Sequence, residues 1–89
     1  MLICKRVHYS GRVQGVGFRY TARNLAQGFP VTGFVRNLDD GRVEMVVEGR
    51  ANDIEALLQA IAERMVGCIV HAAIEGETAQ GHQGFEIRY

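Results

Sequence analysis

The sequence predicts an α+β domain, an antiparallel sheet of four to five strands with two helices on one face. Three observations carry that expectation. Apolar and polar residues alternate in five short segments, the period of two that a half-buried strand requires. Two other segments switch to the spacing of three and four that marks an amphipathic helix. The order along the chain is β-α-β-β-α-β with one more strand at the end, and no repeat, linker or low-complexity tract interrupts it. That order is the split β-α-β, ferredoxin-like arrangement, in which two helical stripes bury against one apolar sheet face.

Each element has its own signal. From Ile3 to Val13 the odd positions carry Ile3, Val7, Tyr9 and Val13, and the even ones Arg6, His8, Ser10 and Arg12. From Phe18 the period changes, with Phe18, Ala22, Leu25, Ala26 and Phe29 on one stripe. Gly28 suits a helix stop and Pro30 blocks any continuation. Val31 to Leu38 and Arg42 to Glu48 read as strands of a hairpin turning at Asp39-Asp40-Gly41. Ile54, Leu57, Leu58, Ile61, Ala62 and Met65 mark a second helix, with Asn52 and Glu55 as a capping pair at its start and Gly67 at its end. Val70, Ala72 and Ile74 alternate in a fourth strand. Gly76 to Gly84 reads as a polar loop, and Phe85, Ile87 and Tyr89 as a short closing strand.

Composition narrows the function classes. The 89 residues are read as a single domain spanning 1–89. Ten basic and ten acidic side chains cancel, so the basic excess typical of nucleic-acid binding is missing. No apolar run is long enough to span a membrane. Met1 to Arg6 lacks the basic-then-apolar order of a secretion signal, and the expected location is the cytoplasm. Cys4 and Cys68 are read as small hydrophobes in a reducing compartment, with a disulfide as the alternative.

The run Gly11-Arg12-Val13-Gln14-Gly15-Val16-Gly17-Phe18-Arg19 concentrates the chemistry. It starts in a strand pattern and ends in a helix pattern. Glycines leave the backbone N–H groups free to converge, the helix N-terminus adds its dipole, and a guanidinium follows in the first turn. Such a combination cradles a tetrahedral anion, above all phosphate. Parity brings a second residue near it. Val31, Val35 and Asn37 share one strand face, and the valines should face the helices. A carboxamide there can donate to and accept from one water molecule. The alternative is that Asn37 merely satisfies a hairpin backbone group.

These residues carry a resemblance. Gly11 to Arg19, then Gly33-Phe34-Val35-Arg36-Asn37-Leu38, then Asp40-Gly41-Arg42-Val43-Glu44, Glu48-Gly49 and the closing Phe85 to Tyr89 resemble the acylphosphatase family over nearly the whole chain. The resemblance implies a small cytosolic, monomeric enzyme that hydrolyses carboxyl-phosphate anhydrides without metal or organic cofactor. Arg19 and Asn37 would be catalytic. Gln14, Gly15, Val16, Gly17, Phe18 and Arg19 would bind the phosphoryl group of a small acyl phosphate, and inorganic phosphate would leave as product. Three departures stand out. No Gly-Pro pair follows the second helix, where Met65-Val66-Gly67-Cys68 stands instead; Pro30 replaces an aliphatic residue; and Gly17 stands where a bulkier side chain is common.

Other readings fare less well. The dinucleotide fingerprint lacks its third glycine, with Tyr20 in its place, and no Gly-Lys-Ser/Thr follows for a nucleoside-triphosphate loop. His8, His71 and His82 have no metal spacing and are read as solvent-facing; Glu44 and Glu48 are read as solvated. RNA-recognition domains share the element order, but their stacking aromatics are absent from Arg42 to Glu48. A non-catalytic phosphate-binding module remains the second competitor, since hydrogenase-maturation carbamoyltransferases carry a similar N-terminal part.

Overall fold

In the computed structural model, which describes residues 1–89, the chain builds one five-stranded sheet and two helices. The elements are β1 (Ile3–Gly11), α1 (Phe18–Ala26), β2 (Thr32–Asn37), β3 (Val43–Gly49), α2 (Ala51–Arg64), β4 (Ile69–Glu77) and β5 (Phe85–Arg88). The strand order is β4-β1-β3-β2-β5. All pairings are antiparallel except β2 with β5, which run parallel. The expectation of a purely antiparallel sheet is therefore corrected at one edge. The reason is the long return of residues 78–84, which carries the chain across the sheet before it re-enters beside β2.

The predicted alternation describes the helix side well. Val7, Tyr9, Val35, Val43, Met45 and Val47 meet Phe18, Ala22, Ala26, Ile54, Leu57 and Ile61 in one continuous core. Each such large side chain contributes about 1.5–3 kcal/mol before entropy is subtracted. Central β3 is buried along its whole length. Edge strand β4 is not: Ile74 is exposed because α2 lies over β3 and leaves the β4 flank uncovered, and the expected Val70-Ala72-Ile74 stripe breaks at Val70, where the register shift against β1 puts Ile69 on the core instead.

The opposite sheet face differs from the sequence reading. Glu44 and Glu48 are each only 5% exposed, and His8 is half-buried, so none of the three is simply solvated. Glu44 takes contacts from Arg6 (2.8 Å), His8 (2.9 Å) and Arg36 (2.7 Å), while Arg6 also pairs with Glu77. Burial pushes the Glu44 carboxyl up, but the bonds from His8, Arg6 and Arg36 outweigh it and hold it down at about 2. Glu48 accepts the backbone N–H groups of Gln80 (2.7 Å) and Gly81 (3.1 Å), which fastens the 78–84 return over this face. His82 packs edge-on against Phe34 at 5.8 Å and is likewise not solvent-facing. Alternation alone could not reveal this, since a charged residue at a polar position looks the same whether water or a loop covers it.

Two boundaries also move. The capping pair expected at Asn52 and Glu55 does not form: α2 starts at Ala51, Arg50 is its N-cap, and no side chain caps it. Strand β1 stops at Gly11, two residues early, where its register with β4 shifts. Val13 still faces the core, but from the loop.

Candidate active site

Strand β3 is antiparallel to both β1 and β2, so those two run in the same direction. Their C-terminal ends therefore lie at one end of the sheet. The register makes this concrete: Tyr9 pairs with Val43, and Val43 pairs with Asn37, one row across three strands. At about 4.8 Å per strand spacing, Asn37 lies roughly 10 Å across the sheet from Tyr9. Register partners share a face, and Tyr9 and Val43 belong to the helix-side core. The parity expectation for Asn37 is met: it stands on the helix side at the end of β2, half-buried.

The loop after β1 arrives at the same end. Buried Val13 and Phe18 anchor its two sides, and the Phe18 ring packs on Tyr9 at 4.9 Å. Between these anchors Gly15, Val16 and Gly17 stand exposed. Gly15 and Gly17 both adopt the left-handed conformation, with φ of +77° and +78°. A β-carbon at either position would touch nothing within 4 Å. The glycines are required by backbone angle and not by crowding, which a sequence cannot distinguish. Gly17 is also the N-cap of α1 and provides no side-chain cap.

The consequence is a run of free donors. The first helical N–H with a backbone acceptor belongs to Thr21, which reaches the Gly17 carbonyl at 3.0 Å. None of the backbone N–H groups from Gln14 to Tyr20 is bonded to a protein carbonyl or side chain. Unpaired donors at a helix N-terminus with its positive dipole suit an anion. Arg19 follows in the first turn, half-buried, its guanidinium carbon 4.8 Å from the ring centre of Tyr89.

Gln14 has a different part from the one its position suggests. Its side-chain nitrogen donates to the carbonyls of Leu38 (2.8 Å) and Arg42 (3.0 Å). The carboxamide thus ties the loop to the β2–β3 hairpin directly after Asn37. The hairpin is closed from within by Leu38 N–H to the Arg42 carbonyl (2.8 Å) and by Asp40, which accepts the Arg42 N–H (3.1 Å) and guanidinium (2.8 Å). Only the Gln14 main chain remains for a ligand. No signal in the sequence announced this brace, because its partners are main-chain carbonyls 24 and 28 residues away.

Of the residues expected to act together, the structure brings Gly15, Val16, Gly17, Phe18, Arg19 and Asn37 to one end of the sheet. The Phe18 side chain is turned into the core, leaving its N–H outside. No three His, Cys, Asp or Glu side chains gather into a metal-holding group. The two apolar grooves of the molecule lie elsewhere, along α2 and β4.

These features define a ferredoxin-like α+β domain with a loop of free main-chain donors, an arginine and an asparagine at one sheet end. The family model described as acylphosphatase matches residues 5–87. The chain belongs to the acylphosphatase family. The acylphosphatase of Haloarcula marismortui is 46% identical over 84 residues, covering 93% of this chain and 92% of its own length. The crystal structure of acylphosphatase from Bacillus subtilis superposes with a TM-score of 0.91 at 35% identity, covering both chains completely. Full-length HypF, in its phosphate- and nucleotide-bound form, is similar too, at a TM-score of 0.90 and 27% identity, with this chain covering 12% of it.

Proposed function

We propose that this chain hydrolyses acyl phosphates to a carboxylate and inorganic phosphate, with Arg19 and the 14–19 amides binding the phosphoryl group and Asn37 orienting the attacking water. The observation that carries this reading is the stretch of unpartnered N–H groups from Gln14 to Tyr20, held at the same sheet end as Asn37.

The arrangement suits a substrate that is already activated. A carboxylate is a good leaving group, so the protein has chiefly to position the phosphoryl group and neutralise charge as it spreads over the equatorial oxygens. Arg19 presents two parallel donors to two of those oxygens, and the loop amides take the remaining lone pairs. The Asn37 carboxamide oxygen accepts a hydrogen bond from the water and restricts the water oxygen to in-line approach. The water oxygen bonds to phosphorus, the bond from phosphorus to the acyl oxygen breaks, and its electron pair leaves with the carboxylate. The proton of the water passes to a phosphate oxygen, so no side-chain base is needed.

We place the enzyme in the cytoplasm as a monomer. Sedimentation of the purified chain tests the second point. The activity itself is tested by following benzoyl phosphate hydrolysis spectrophotometrically with a chelator present. Turnover that persists with the chelator, inhibited competitively by inorganic phosphate, is the expected result. No turnover overturns the reading.

A further inference from the structure

We propose that Tyr89 is a positioning residue for Arg19, its ring holding the guanidinium at the mouth of the phosphate cradle. The proposal rests on the active-site reading above and adds a residue to it. Three independent placements lead there.

The first is register. Strands β2 and β5 pair in parallel through Gly33 with Phe85, Val35 with Ile87 and Arg36 with Arg88. Continued one step past its last pair, that register leads Tyr89 toward Asn37. Parallel partners share a sheet face, and Val35 and Ile87 both face the helix-side core. Tyr89 thus extends toward the end of the sheet where α1 begins. The second is contact. The Arg19 guanidinium lies over the Tyr89 ring at 4.8 Å from its centre, within the range of a cation–π attraction. The third is a lock on the ring itself. The hydroxyls of Tyr89 and Tyr20 meet at 3.2 Å, and Tyr20 is the residue following Arg19. The Tyr89 side chain is otherwise exposed, so its two contacts, with Arg19 and with Tyr20, both come from the first turn of α1.

Arginine has many rotamers, and a free one loses that freedom on gripping an oxyanion. No Asp or Glu side chain pairs with Arg19. A ring restrains the guanidinium without neutralising it and leaves its in-plane donors open to an anion. A carboxylate in the same place would consume those donors.

The test uses the whole chain with Tyr89→Ala, Tyr89→Phe and Tyr20→Phe, measuring benzoyl phosphate kinetics and competitive inhibition by inorganic phosphate. An exposed cation–π contact predicts that Tyr89→Ala raises KM and weakens phosphate inhibition about two- to five-fold, with kcat little changed. Tyr89→Phe keeps the ring and should recover most of the loss; Tyr20→Phe should show a smaller loss than Tyr89→Ala. Unchanged phosphate inhibition in Tyr89→Ala overturns the proposal. Tighter inhibition also overturns it, since the ring would then be withholding the arginine. Arg19→Gln, run alongside, separates the two readings. If it loses turnover while Tyr89→Ala is silent, only the tyrosine assignment falls; if it turns over normally, both fall.

Discussion

Two loops of this molecule have similar backbones and opposite fates. Residues 12–17 and residues 78–84 each carry glycine in the left-handed region, Gly15 and Gly17 in one and Gly81 at φ +75° in the other. Each turns main-chain N–H groups outward from its own path. In the second loop those of Gln80 and Gly81 close on the buried carboxylate of Glu48. In the first, the donors from Gln14 to Tyr20 meet no protein acceptor. Either set of amides has the chemistry to hold an anion. When the protein provides the anion, the loop becomes part of the scaffold. When it does not, the donors stay free, and in the proposed function they take a phosphoryl group.

The contrast can be broken from either side. The largest effect is expected from Arg19→Gln, which should cut benzoyl phosphate turnover by about 10²–10³-fold or more while circular dichroism stays that of the wild type. Asn37→Ala comes next. It should lower kcat by about 10²-fold and leave inhibition by inorganic phosphate nearly unchanged; an equal fall in both would assign Asn37 to binding.

Gly15 sharpens the point about backbone. A β-carbon there has open space, so Gly15→Ala alone should do the damage, through a left-handed angle that costs an L-residue about 1–2 kcal/mol. Phosphate affinity should fall by roughly ten-fold, as read by inhibition, and Gly15→Val should be no better. Affinity equal to wild type in Gly15→Ala would mean that the donors do not depend on this conformation.

On the scaffold side, Glu48→Gln should destabilise the fold by about 1–3 kcal/mol in urea, because it removes the charge from buried hydrogen bonds, with kcat and KM unchanged. The mildest effect concerns acid. Glu44 is held at about 2, below its ordinary 4.5, so its contribution to stability is present above about pH 5 and is lost as the pH falls toward 2. Urea midpoints measured between pH 6 and pH 2.5 should decline for the wild type and decline less for Glu44→Gln.

Legibility in the sequence followed the same divide. The helix-side core, both helices and the hairpin could be read from periodicity, because burial against helices imposes a period on each strand. The glycines and Arg19 could be read as a cradle because their chemistry is local. The outer face could not. Glu44, Glu48 and His8 occupy polar positions, and only the return of residues 78–84 and the partners Arg6 and Arg36 take them out of water, the two glutamates almost completely and His8 in part. Gln14 and Tyr89 were invisible in their roles for a related reason. One bonds to main-chain carbonyls of a distant hairpin, and the other reaches Arg19 through a parallel pairing that no local pattern announces.

The short edge strand β5 sets where the native state opens first. It has four residues and a single neighbouring strand, whereas β3 has seven, is paired on both sides and is buried throughout. Amide exchange should therefore be fast along Phe85 to Arg88 and slow along Val43 to Gly49. Brief detachment of this one strand would loosen the surroundings of Arg19 long before the molecule unfolds, so catalytic competence on warming should fade ahead of the global melt.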